Sequence, residues 1–139
     1  MIHIKLLLIC SLFNYSLAIE NQGDTMALTD KKCMPCEGGV AALNNDQEEG
    51  YLADLQGWSI DRSDIHKLKK EFVWKNFREA MKFVSTVANL AEQEGHHPDI
   101  IIHYNHVFFE IFTHAIKGLS ENDFILASKI DKVANKSNK

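Results

Sequence analysis

One stretch constrains the rest of the chain: Gly95-His96-His97-Pro98-Asp99-Ile100-Ile101-Ile102-His103-Tyr104-Asn105-His106-Val107-Phe108-Phe109-Glu110-Ile111-Phe112-Thr113-His114. Its apolar, β-branched residues are interrupted at Tyr104-Asn105 and read as the two strands of a hairpin. With the turn centred near Asn105, antiparallel pairing makes partner numbers sum to about 210. His114 then lies opposite His96, to within a residue. Two imidazoles distant in sequence are thereby expected at one edge of one hairpin. Side chains that titrate near neutrality, gathered at a point, suit proton transfer.

The residues around this hairpin say what it packs against. From Asn76 to Glu94, the apolar residues Phe77, Ala80, Met81, Val84, Val87, Ala88 and Ala91 recur at helical spacing. Asn76 with Glu79 three residues on is an N-terminal capping signal, and Gly95 is the expected stop. Further upstream, Asn44 to Leu55 reads as a short helix with Gln47 at the capping-box position, Tyr51, Leu52 and Leu55 on one side, and Gly57 at its end. Trp58-Ser59-Ile60-Asp61 suggests a short strand, Arg62-Ser63-Asp64 a turn, and Lys67 to Trp74 a second strand. Leu68, Phe72 and Trp74 share a face of that strand. Lys70 shares it too, so the strand is expected to run out past the core at its beginning.

After the hairpin, Lys117-Gly118-Leu119 turns the chain, and Ser120 with Asp123 caps a last helix whose Phe124, Ala127 and Ile130 face inward. Ala134 to Lys139 is polar and expected to fray. The order helix-strand-strand-helix-strand-strand-helix predicts an α+β domain, a four-stranded antiparallel sheet with helices packed on one face. The last strand carries Val107, Phe109 and Ile111 on one face and Phe108 and Phe112 on the other. One face meets the helices. The other, together with an open sheet edge, predicts a second copy of the chain as cover, in a homodimer or homotetramer.

Composition sets the outer limits. At 139 residues the chain can build one domain with a real core. A hydrophobic content of 45%, a charged content of 24% and a formal charge of −4 describe an ordinary globule with no general electrostatic reason to bind nucleic acid or an acidic membrane. Met1 to Ala18 reads as an export signal, with Lys5 ahead of the apolar run Leu6 to Phe13 and small residues at Ser16 and Ala18. A mis-assigned start upstream of Met26 explains the same residues. Residues 19–27 read as linker, 28–133 as the domain and 134–139 as a tail. Cys33-Met34-Pro35-Cys36 could be a redox pair or half a zinc site, but no second pair follows and no strand precedes it. A turn-rich arm is the simpler reading.

The histidines allow rival uses. His96 and His97 follow a helix C-terminus, whose negative end, with Glu92 one turn upstream, favours a cation there. One such histidine would be a plain charge partner; a pair with a register-matched His114 points to catalysis. Zinc commonly takes three protein ligands, yet adjacent histidines point apart and no His-x-x-x-His spacing occurs. No serine sits in a nucleophile elbow. His103 and His106 flank the turn and are expected in solvent, and His66 carries no special signal.

Several segments carry a family resemblance. Glu71-Phe72-Val73-Trp74-Lys75-Asn76-Phe77, Ala80-Met81, Phe83-Val84 and Ala91-Glu92 resemble the pterin-4a-carbinolamine dehydratases. So do His96-His97-Pro98-Asp99, Tyr104-Asn105, Thr113-His114 and Gly118-Leu119-Ser120-Glu121-Asn122-Asp123. The likeness runs from about Leu28 to Val133 and takes in the arm Cys33 to Gly39, as in bacterial-type members. It implies the same sheet-and-helix fold, joined sheet to sheet in a dimer. It also implies a reaction, the dehydration of a 4a-hydroxytetrahydropterin to quinonoid dihydropterin while an aromatic amino-acid hydroxylase's tetrahydropterin is recycled. Expelling hydroxide from a carbon bonded to nitrogen needs one proton delivered to oxygen and one taken from nitrogen, so imidazoles suffice without metal or cofactor.

By the same resemblance His96 and His114 are the acid/base candidates. His97 binds substrate and shares that role, and Glu92, Pro98 and Asp99 border the pterin. The chain departs from many members in having Ile100 and Ile101 where aromatic residues stand, which implies weaker stacking. The implied location is cytoplasmic, with export as the alternative if residues 1–18 act as a signal. A non-enzymatic dimerisation module of the same fold is the alternative function.

Overall fold

A computed structural model describes residues 26–35 and 41–137. The export signal, Cys10, Cys36 and most of the linker lie outside the described residues. The elements follow the expected order: α1 (Asn45–Leu52), β1 (Ser59–Asp61), β2 (Lys67–Val73), α2 (Phe77–Glu94), β3 (Asp99–His103), β4 (His106–Ile111) and α3 (Glu121–Ser137). Two short 3-10 turns, Leu28–Asp30 and His114–Ile116, flank them. All neighbouring strands are antiparallel in the order β1-β2-β4-β3.

Local chemistry sets most boundaries. Asn44 and Gln47 close a reciprocal capping box on α1. Asn76 Oδ1 accepts from the Glu79 amide at the start of α2, a cap contributing about 1 kcal/mol. Gly95 ends α2 with φ of 64°, in the left-handed region. The core then forms between one sheet face and the helices. Ala80, Phe83 and Val87 of α2 and Phe124, Ala127 and Ile130 of α3 meet Leu68, Val107, Phe109 and Ile111.

Two expectations need correction, and a third is sharpened. The helix α3 runs on to Ser137 with Ala134 buried, because it is enclosed on more than one side. Its Ile125, Leu126 and Ser128 are buried as well, and Tyr51 of α1 stacks on Phe124 at 5.1 Å. Lys70 does not mark a strand running past the core. Its Nζ lies over the Trp58 and Phe72 rings, 5.6 and 4.8 Å from their centroids, and reaches Asp131 of α3 at 2.6 Å, so the cation is kept on the helix side by a carboxylate and two aromatic faces. The hairpin register is the third. Ile101 pairs with Phe108 and His103 with His106, a sum of 209 rather than 210. The ladder ends at Asp99 and Glu110; continued by the same rule, it sets Thr113, not His114, across from His96.

Candidate active site

The C-terminus of α2, the end of β4 and the N-terminus of α3 meet at one corner. Gly95 reverses the chain so that His96 turns inward and His97 outward; the His96 side chain is 8% exposed and that of His97 60%. After β4, Thr113 is pinned to Gly118 by a β-bridge across a tight turn in which Lys117 has φ of 51°. Gly118 is required there: an added Cβ would come 2.8 Å from that of Ala42. The turn delivers Thr113, His114 and the cap of α3 to the corner together.

Asp123 is the centre of this corner and is fully buried. Its Oδ2 accepts from the Ser120 amide (2.7 Å), the Thr113 hydroxyl (2.9 Å) and the Ser120 hydroxyl (3.2 Å). Its Oδ1 lies 2.6 Å from His96 Nε2. A carboxylate accepts only, so Nε2–H donates and Nδ1 is the ring nitrogen left for chemistry. The Ser120–Asp123 capping pair was legible in the sequence. Asp123's second task was not, because His96 is 27 residues away; a carboxylate with lone pairs to spare, close after Thr113-His114, was the available signal.

The three histidines are not joined to one another by hydrogen bonds. His97 Nε2 lies 2.9 Å from Glu92 Oε1, so Glu92 attends His97 rather than His96. His114 opens the 3-10 turn, exposed, with its ring centroid 4.1 Å from that of Phe112. Pro98 is half-buried between His97 and β3, and Asp99 begins β3 in solvent, opposite Glu110. His103 is exposed at the turn, and His106 pairs with Glu71. Among the described residues no group of three His, Cys, Asp or Glu side chains is placed to hold a metal ion.

The N-terminal arm backs the same corner. The Cys33 amide donates to Glu94 Oε2 at 3.0 Å, and the Asn122 carboxamide bonds both the amide and the carbonyl of Met34. Lys31 adds an ion pair with Glu121 at 2.5 Å. Burial, then the Glu94 carboxylate, pushes the Cys33 thiol up to about 12. A thiol held protonated is the opposite of a redox nucleophile, which favours the reading of this segment as a structural arm. Burial works against the Glu94 charge, but the Cys33 amide and Lys129 hold its carboxyl below the ordinary range.

Comparison with known proteins gives the family. A family model described as Pterin 4 alpha carbinolamine dehydratase matches residues 41–133. A relative from Halorhodospira halophila named for pterin-4-alpha-carbinolamine dehydratase is 47% identical over 106 residues, 76% of this chain and 96% of that protein. One of the same name from Rickettsia bellii is 45% identical over 112 residues, covering 80% and 97%. Among solved structures, a transcriptional coactivator/pterin dehydratase from Brucella melitensis superposes with a TM-score of 0.64 at 29% identity, over 67% of this chain and 98% of that one. A pterin dehydratase-like protein described as a RuBisCO assembly factor shares the fold at 21% identity and a TM-score of 0.50, over 57% and 90%. With a family model spanning most of its length and relatives of this similarity covered almost end to end, the chain belongs to the pterin 4 alpha carbinolamine dehydratase family.

Proposed function

We propose that the protein converts a 4a-hydroxytetrahydropterin to the quinonoid dihydropterin and water, in recycling of the tetrahydropterin used by aromatic amino-acid hydroxylases. The observation that carries the reading is the buried Asp123 carboxylate, which fixes one imidazole at a corner where two more are exposed. In the reaction the C4a–O bond breaks as the leaving oxygen takes a proton from an imidazolium. The nitrogen lone pair forms the new C=N bond, and that nitrogen's proton passes to a neutral imidazole. His96, acting through Nδ1, and His114 are the acid/base pair. His97, oriented by Glu92, binds substrate and shares the proton traffic, with Pro98 and Asp99 bordering the ring. Asp123 and Thr113 are positioning residues.

Stopped-flow dehydration of synthetic 4a-hydroxytetrahydropterin, with and without a chelator, tests this. Chelator-insensitive acceleration is expected; a rate equal to the uncatalysed one would overturn it. A chain that self-associates yet leaves the pterin untouched would instead be an interaction module, and the RuBisCO assembly factor shows that this fold also occurs in a protein described by an assembly role.

Self-association is part of the proposal. Phe77, Met81, Val84 and Ala88 form a second apolar stripe on α2, beside the buried one, with Phe77 half-exposed. Their four-three-four spacing suits a helix from another copy, in a homodimer or homotetramer. Sedimentation at micromolar concentration checks it, and a strictly monomeric species would remove it. We place the reaction in the cytoplasm, with its hydroxylase; a native chain recovered outside the cytoplasm and starting at Ile19 would refute that. No helix among the described residues is long and apolar enough to cross a membrane.

A further inference from the structure

Each histidine of the corner is held differently. His96 has Asp123 and His97 has Glu92. Among the described residues neither ring nitrogen of His114 has a hydrogen-bond partner, and the contact that orients it is the Phe112 ring, tilted 41° to the imidazole at 4.1 Å. Phe112 is buried although the next side chain on its own side is exposed. Something keeps it there. On β2, Lys67 sets its Nζ over the Phe112 ring at 4.9 Å while donating to Glu110 Oε2 at 3.1 Å. A cation anchored on a carboxylate and seated on an aromatic face immobilises the ring beneath it.

We propose that Phe112, held by Lys67, is the positioning residue for His114, doing by ring packing what carboxylates do for the other two histidines. The role rests on the dehydratase reading only for its effect on turnover; the orientation of His114 is a property of the chain itself. The physical reason is entropic. An exposed imidazole with no hydrogen-bonded nitrogen samples several rotamers, and a general base must hold its lone pair toward the proton it takes. A flat neighbour removes most of those rotamers and leaves both nitrogens free. A carboxylate partner would occupy one of them.

The test uses the full-length protein carrying isotope-labelled histidine. Phe112→Leu keeps an apolar side chain but removes the ring and its ring current. We expect the His114 ring protons to move toward random-coil positions while those of His96 and His97 stay, and kcat to fall about tenfold with KM little changed. Phe112→Tyr should restore both. Lys67→Met should give a smaller change in the same direction. In a His114→Ala background, Phe112→Leu should lower kcat no further. Unmoved His114 resonances in Phe112→Leu, or an equal loss of turnover in both backgrounds, would overturn the proposal. A wild-type chain without dehydratase activity would defeat the proposed reaction, and the histidine resonances would still decide the role of Phe112.

Discussion

Two fully buried carboxylates each hold a histidine, and they are compensated in different ways. Glu48 of α1 lies 2.8 Å from His66 Nδ1, accepts from Arg62 Nε at 3.2 Å and is ion-paired with Arg62 Nη2 at 3.1 Å. Asp123 has His96 as its one ionisable donor, the rest being hydroxyls and an amide. A guanidinium stays charged at every accessible pH, so the Glu48 cluster has a permanent counter-charge. At Asp123 the one counter-charge among its partners is present only while His96 is protonated. The first arrangement ties α1 to the β1–β2 hairpin. In the proposed reaction the second couples a buried charge to the proton that His96 exchanges, which an acid/base site requires and a scaffold does not.

The sharpest way to break this contrast is to remove each histidine. His96→Ala is expected to lower turnover by about 10²–10⁴-fold, as for a lost acid/base group, while His66→Ala leaves it unchanged. The double variant His96→Ala, His114→Ala should lose less than the product of the two single effects, since groups acting as a unit are non-additive. Stopped-flow rates on the wild type, the three single variants at positions 66, 96 and 114 and the double variant decide it; comparable losses at positions 66 and 96 would erase the distinction.

Replacing the carboxylates should give a crossed pattern. Asp123→Asn turns one oxygen into a donor, so it must lose either His96 Nε2–H or the Ser120 amide, and turnover should drop about 10²-fold. Glu48→Gln should cost about 3 kcal/mol of stability, because the Arg62 guanidinium loses its buried counter-charge, with turnover of the folded protein unaffected. Urea denaturation alongside kinetics separates the two, and a Glu48→Gln enzyme that is stable but slow would be the damaging outcome.

Smaller effects come from the arm behind the corner. With its thiol pushed up to about 12, Cys33 should resist iodoacetamide at pH 8 in the native protein and react once unfolded, as read by peptide-resolved mass spectrometry. Rapid native labelling of Cys33 would mean the arm does not dock as described. Smallest is an acid effect. Glu94 titrates below its ordinary range in the folded chain, so its contribution is present above the usual glutamate pKa of about 4.3 and is lost as pH falls through the lower, folded value. The Cys33 amide resonance should shift across that acid window and remain constant from pH 7 down to its upper edge.

Much of the fold could be read along the chain. The caps at Asn44, Asn76 and Ser120, the stop at Gly95 and the alternation in β4 each depend on residues within a few positions of one another. The site was legible as a set of residue types and only roughly as an arrangement. A hairpin sum uncertain by one residue cannot choose between Thr113 and His114, since a single-residue slip sends a side chain to the opposite face.

Sequence alone therefore determined the elements and their order, because those follow from short-range periodicity and capping. Tertiary structure decided which group each histidine answers to: Asp123 for His96, Glu92 for His97 and Phe112 for His114. It also decided that Lys70 turns to Asp131, 61 residues on, and that Met34 clasps Asn122, 88 residues away. Such pairings depend on the angles at which packed helices and strands meet. Shape and desolvation across the whole core set those angles, and no local stretch of sequence carries them.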